Sequence, residues 1–232
     1  MAEIIEGGVI ESFEEVPDVR VVRIRPDKWV EFKPGQYFQI FIPEGEETVK
    51  PYSVASPPSN RKYLEFCVKR VEGGHASNFM FNTEPGERLK MQGPMGRFVL
   101  QEQITNDIIF AATGTGISSI KPMIRTIFER GTDRQIWLFF GIRTENDIIY
   151  KKDFETLASK HKNFHFVPSL SRASEAWNGE RGYVQDVMKR LIKDITNKDI
   201  YLCGVAEMVE QMRKIAEQLG FPKEKIHFEK YV

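Results

Sequence analysis

The chain has 232 residues, 41% of them hydrophobic and 12% aromatic, enough for two modest domains or one large one. Its 33 basic and 33 acidic side chains cancel, which argues against a nucleic-acid binder held by a basic field. Two cysteines supply neither a disulfide framework nor the four thiolates of an iron–sulfur cluster, and four scattered histidines argue against zinc. No apolar run reaches the length that crosses a bilayer, and the first ten residues do not read as a signal peptide. The expectation is a cytoplasmic protein with no metal and no membrane span.

The first hundred residues read as β. Val19–Ile24 and Tyr37–Ile42 are short, β-branched or aromatic, and bounded by Pro or Gly; Leu64–Val68 alternates with period two. Turn signals recur at Lys33-Pro-Gly35, Pro57-Pro-Ser59, Glu84-Pro-Gly86 and Gly93-Pro94. Such spacing predicts a small antiparallel barrel. Only Ser77–Phe81 offers a short helical period before residue 100. Thereafter the rhythm changes. Asp107–Ala112 is a continuous apolar run, the mark of a strand buried on both faces, and an amphipathic stretch runs to Arg130. Strands follow at Ile136–Gly141, Phe164–Val167, Asp199–Cys203 and Lys225–Phe228, with helices at about Lys151–His161, Tyr183–Lys193 and Ala206–Leu219. Strand alternating with helix predicts a parallel sheet covered on both faces. The two patterns part at 1–102 and 103–232, giving an antiparallel β-barrel domain followed by an α/β domain.

Two segments carry chemistry. Thr113-Gly-Thr-Gly-Ile-Ser118 follows the first buried strand and opens a helix, where free N–H groups and the helix dipole favour a phosphate. The match to G-x-G-x-x-G is incomplete because position 119 is Ser, and a tight turn with small residues for packing is the competing reading. Lys50-Pro-Tyr-Ser53 puts a cation, an aromatic and a hydroxyl within four residues. Lys suits a phosphate, Tyr a planar ring and Ser a ring heteroatom; a strand with an exposed Lys and a half-buried Tyr explains the same letters.

Taken in order, the segments resemble the ferredoxin–NADP⁺ reductase family of flavoproteins, in a form without a fused iron–sulfur domain. The resemblance runs through Lys33-Pro-Gly-Gln-Tyr37, Lys50-Pro-Tyr-Ser53, Gly73-Gly-His-Ala-Ser77, Gly93-Pro-Met-Gly-Arg-Phe98, Gly114-Thr-Gly-Ile-Ser118, Cys203-Gly204 and Glu229-Lys-Tyr231. Each motif is weak alone; seven in order are specific. Two positions depart from the family. Lys50 stands for an Arg whose planar fork grips phosphate bidentately, and Ser119 stands for a Pro that stiffens the first helical turn, where Ser is tolerated.

The resemblance implies FAD on the barrel and a nicotinamide nucleotide, NADPH or NADH, on the α/β half. Tyr52 would stack on the isoalloxazine with Ser53 near its N5, on a strand that includes Pro51. Lys50 and the loop Gly73, Gly74, His75, Ala76 and Ser77 would take the pyrophosphate, with Val68 and Lys69 just before it; of His75 the backbone matters more than the ring. Gly114, Thr115 and Gly116 would lie along the nicotinamide pyrophosphate. Cys203, Gly204, Ser53 and Glu229 would shape the hydride contact, and Tyr231 would cover the flavin face that the nicotinamide must use. Cys203 as a small buried residue, and 229–232 as a solvated tail, are the bland alternatives; Cys67 reads as a strand residue only. No acidic residue stands in Gly141-Ile-Arg143 to grip a ribose diol, whereas Ser171-Arg172 and Arg181-Gly-Tyr183 resemble the 2′-phosphate and adenine clamp of NADP-using members. The implied activity is hydride transfer from NAD(P)H, with a lean to NADPH, and delivery of single electrons to a ferredoxin or flavodoxin. Competing implications are the reductase component of a multicomponent oxygenase, a free-flavin reductase, and a non-catalytic electron-transfer subunit.

Overall fold

The structure, a computed structural model, describes residues 2–43 and 48–231. The chain divides into two compact units, residues 1–100 with 121–129, and residues 101–120 with 130–232.

The first unit is built from β1 (Glu3–Val16), β2 (Val19–Pro26), β3 (Tyr37–Ile42), β4 (Thr48–Ser53), β5 (Leu64–Lys69), the short helix α1 (His75–Phe81) and β6 (Arg88–Met95). Its antiparallel sheet has the order β4-β3-β6-β1-β2-β5, and a bridge between Val54 and Phe66 joins the two ends, closing the barrel. In β3 the alternation is literal: Phe38, Ile40 and Ile42 are fully buried, while Tyr37, Gln39 and Phe41 face outward. Each such side chain contributes about 1.5–3 kcal/mol on burial. β5 departs from its alternating sequence, because all of Leu64–Val68 is buried. The reason is Glu65, 2% exposed, whose carboxylate pairs with Lys121 Nζ at 2.6 Å and Arg23 Nε at 2.8 Å. Gly93-Pro94, read above as a turn, lies within β6; a Cβ at Gly93 would stand 2.5 Å from the Phe38 ring, so a side chain there would collide with the core. β1 gives little sequence signal, since Gly7-Gly8 and the acidic Glu11–Glu15 stretch hide its alternation.

The second unit contains β7 (Asp107–Thr113), β8 (Ile136–Ile142), α3 (Lys151–Lys160), β9 (Phe164–Leu170), β10 (Glu180–Arg181), α4 (Val184–Leu191), β11 (Lys198–Val205), α5 (Ala206–Leu219) and β12 (Ile226–Tyr231). The remaining helix, α2 (Ile117–Arg130), starts in this unit, while its residues 121–129 belong to the first. The sheet is parallel throughout, in the order β10-β9-β8-β7-β11-β12. α4 and α5 cover one face, packing Val187, Met188, Val209 and Met212 on Ile109, Phe139 and Leu202. α3 covers the other, with the Phe154 ring 5.3 Å from that of Phe166. Two strands outrun their sequence signal. Pro168 reads as a stop, yet Ser169 and Leu170 still find partners in β8 and β10. β12 continues through Tyr231 because β11 pairs it to the end, Cys203 with Glu229 and Val205 with Tyr231. Residues 229–231 are therefore strand and not a solvated tail.

Candidate functional site

In the first unit, the candidate flavin residues gather at the ends of β4 and β5. Lys50 and Pro51 are exposed on β4, Tyr52 is half-buried against the barrel core and Ser53 is buried. Burial pushes the Tyr52 phenol up to about 12, so it stays protonated and donates to the Ala76 carbonyl at 3.4 Å. Val68 is buried and Lys69 exposed at the end of β5. The loop after it is stitched from within. Ser77 Oγ accepts from the Val71 amide at 3.1 Å and donates to the Gly74 carbonyl at 2.9 Å. Asn78, which the sequence reading missed, donates to the same carbonyl at 2.8 Å and accepts from Arg70 Nε at 3.2 Å. Gly73 and His75 are exposed on this frame, and Ala76 packs inward. The donor set fits a flavin dinucleotide: exposed cations, a fixed loop and an aromatic tethered to that loop.

In the second unit, strand order reverses between β7 and β11, and ligands of open α/β sheets sit at the carboxyl ends of such strands. There the two loops touch. A Cβ on Gly116 would stand 2.5 Å from the Cys203 carbonyl oxygen, and one on Gly204, whose φ is +145°, would stand 2.2 Å from Thr113 Oγ1. That hydroxyl accepts from the Val205 amide at 3.1 Å. Gly114 and Thr115 form a single 3-10 turn ahead of α2, and at Gly114 no atom lies within 4 Å of where a Cβ would be. Ser118, 2% exposed, has a buried hydroxyl without a hydrogen-bond partner among the described residues. Close backbone, open space and an unsatisfied hydroxyl suit a dinucleotide pyrophosphate.

The same strand ends bring Cys203, Glu229 and Tyr231 together around Ser119. Ser119 Oγ lies 3.0 Å from the Tyr231 hydroxyl, 3.3 Å from Glu229 Oε2 and 3.7 Å from Cys203 Sγ. Burial pushes the Glu229 carboxyl up to about 6 against the Ser119 hydrogen bond. Burial, then the Glu229 charge, push the Cys203 thiol far up, so it is no thiolate. Sequence reasoning treated Ser119 as a tolerated replacement; only the fold reveals that it faces these three groups.

Farther along the same edge, the Arg172 amide donates to the Arg143 carbonyl at 2.8 Å and the Ser171 amide to that of Ile142 at 3.0 Å. Arg143 and Arg172 thus leave neighbouring loops side by side, both exposed. Arg181 is differently engaged: its guanidinium donates to the carbonyls of Ala173, Ser174, Glu175 and Trp177. Tyr183, at the start of α4, is 65% exposed.

Comparison with known proteins agrees with this layout. Residues 8–100 match an oxidoreductase FAD-binding domain and residues 110–214 an oxidoreductase NAD-binding domain. Ferredoxin–NADP reductase B of Sorangium cellulosum is 34% identical over 208 residues, covering 86% of this chain and 85% of its own. The reductase component of a Pseudomonas phenol 2-monooxygenase is also 34% identical over 208 residues, but the chain spans only 59% of its length. Among solved structures, the Amycolatopsis cytochrome P450 reductase GcoB superposes with a TM-score of 0.93 at 28% identity, over 99% of this chain and 70% of that one. A barrel with flavin-type residues and a parallel sheet with a dinucleotide loop define a two-domain flavin and nicotinamide oxidoreductase. The chain belongs to the ferredoxin–NADP⁺ reductase family, whose cofactors are FAD and NAD(P)H. Among the described residues no helix is long and apolar enough to cross a membrane.

Proposed function

We propose that the protein is an NADPH-preferring FAD reductase that passes single electrons to a protein carrier of the ferredoxin or flavodoxin kind, in the reducing cytoplasm. When bound, FAD would supply the chemistry that turns a two-electron hydride into single-electron transfers. This chain's residues bind and position. Lys50, Lys69 and the Gly73–Ser77 loop hold the flavin pyrophosphate, Tyr52 stacks on the ring system and Ser53 bonds near N5. Gly114, Thr115 and Gly116 hold the nicotinamide pyrophosphate, and Cys203, Gly204 and Glu229 fix the ring. Holding donor and acceptor atoms in line is the main task of such a site. Cys67 and Cys203 are buried thiols outside any disulfide among the described residues, which accords with a reducing compartment.

The preference for NADPH is carried by one observation. Arg143 and Arg172 stand adjacent, and no carboxylate lies within 4.0 Å of either guanidinium among the described residues. Two unpaired forks suit the 2′-phosphate, and Tyr183 beside them offers a ring for adenine. Arg181 supports this site by holding the 173–177 loop and is not itself the clamp. Arg143→Ala and Arg172→Ala should each raise KM for NADPH tenfold or more, at about 1.5–3 kcal/mol per charge-assisted bond, and leave NADH nearly unchanged. Arg181→Ala should weaken both nucleotides. Equal losses for both nucleotides in the first two variants would make this an NADH enzyme. A second reading, the reductase of a multicomponent oxygenase, is favoured by the equal identity to the phenol monooxygenase reductase. It is tested by which purified carrier the reduced protein turns over.

A further inference from the structure

Ser119 stands wholly buried in the first turn of α2. A serine hydroxyl has one proton and two lone pairs. Glu229 as a carboxylate can only accept, so the Ser119 proton is directed to its Oε2 at 3.3 Å. The Tyr231 hydroxyl lies 3.0 Å from Ser119 Oγ in hydrogen-bond contact and also bonds the Cys203 thiol. Cys203 Sγ, at 3.7 Å, donates its weak S–H to the remaining lone pair. Ser119 thus meets groups from two neighbouring strands. Tyr231 is paired with Val205, one residue beyond Gly204, and the Val205 amide is bonded to Thr113 at the end of β7. The tyrosine is therefore tethered at the strand ends beside Thr113.

We propose that Ser119 is a positioning residue that latches Tyr231 by its hydroxyl, so that entry of the nicotinamide must break the Tyr231–Ser119 hydrogen bond. The inference rests on the reading of Tyr231 as the ring that yields to the nicotinamide. The latch adds a set cost to nucleotide binding and helps the ring return when the product leaves. Removing it tightens the bound state and slows release, which lowers KM and kcat together.

The test is a titration of the oxidised, FAD-loaded protein with NADP⁺, read by the charge-transfer absorbance, on Ser119→Ala, Tyr231→Phe, their double variant and Tyr231→Ser. Ser119→Ala and Tyr231→Phe should each tighten NADP⁺ roughly three- to tenfold, the worth of one hydrogen bond. The double variant should bind no more tightly than Tyr231→Phe alone, because that variant already removes the bond that Ser119→Ala removes, together with the Tyr231 contact to Cys203. Additive effects would overturn the latch. So would an unchanged affinity in both single variants while Tyr231→Ser tightens binding, a result that leaves the role of the ring intact. No effect in Tyr231→Ser would remove Tyr231 from the site and the latch with it. Should Ser119→Ala fail to fold, Tyr231→Phe against Tyr231→Ser decides alone, since the latch requires the loss of the hydroxyl by itself to tighten binding.

Discussion

Two carboxylates, one buried in the first unit and one half-buried in the second, show what separates a structural charge from a poised one. Glu65 sits inside the first unit, where burial disfavours its ionised form, yet Lys121 and then Arg23 outweigh burial and hold its carboxyl below the usual range. Glu229 is half-buried in the second unit with no cation within 4.0 Å among the described residues, and the Ser119 hydroxyl is its hydrogen-bond partner. Its carboxyl rises to about 6. The first is held ionised by its two cations, so it holds one arrangement. The second sits near its titration point, beside the atoms proposed to meet the nicotinamide. Perturbed groups cluster at functional sites because such sites need groups that are not fully satisfied.

The contrast predicts effects of opposite sign. Glu65→Ala would leave Lys121, 6% exposed, as a buried charge without its closest partner. It should cost about 3–5 kcal/mol of stability in denaturant unfolding at pH 7. A loss below about 1 kcal/mol would show that the network is dispensable. Glu229→Gln should do the reverse. A carboxyl raised to about 6 from an ordinary 4.5 costs about 2 kcal/mol when it must ionise in the folded protein. The amide should recover much of that above pH 6 and nothing below about pH 4.5, while turnover falls. An equal gain at every pH would place the effect in packing and not in charge. In the native chain the two groups have opposite pH slopes. The contribution of Glu65 is present above its unfolded pKa and is lost as the pH falls through its lowered folded value. The contribution of Glu229 is present below its unfolded pKa and is lost as the pH rises through about 6. Unfolding of native chain and Glu229→Gln, compared between pH 4.5 and 6.5, isolates the second slope. The smallest effect concerns the thiols. Cys203 is fully buried and stays protonated, so iodoacetamide at pH 7.5 should label it only after denaturation.

The sequence shows the architecture because its signals are local. Period-two alternation in Tyr37–Ile42 and unbroken apolar runs in β7 and β8 each report their own burial, and glycine-rich turns mark where the backbone must come close. The site was legible as segments, not as a constellation. No spacing rule puts Ser119 beside residues 203, 229 and 231, because the parallel ladder that aligns β11 with β12 is a long-range fact. The charged residue inside β5 was invisible for the same reason: its two cations stand 42 and 56 positions away. Arg181 was misleading in a different way. A guanidinium just past a loop suits a phosphate and suits the loop's own carbonyls equally well, and only the fold shows that it meets those of Ala173, Ser174, Glu175 and Trp177.

The proposed activity requires FAD on the first unit and a nicotinamide nucleotide, NADPH in preference to NADH, on the second. The most direct measurement is the visible spectrum of the purified protein under argon before and after one equivalent of each nucleotide. The account predicts a yellow protein with about one FAD per chain whose flavin bands bleach promptly with NADPH and more slowly with NADH. A protein that neither carries nor takes up FAD, or flavin bands that neither nucleotide bleaches, would contradict it.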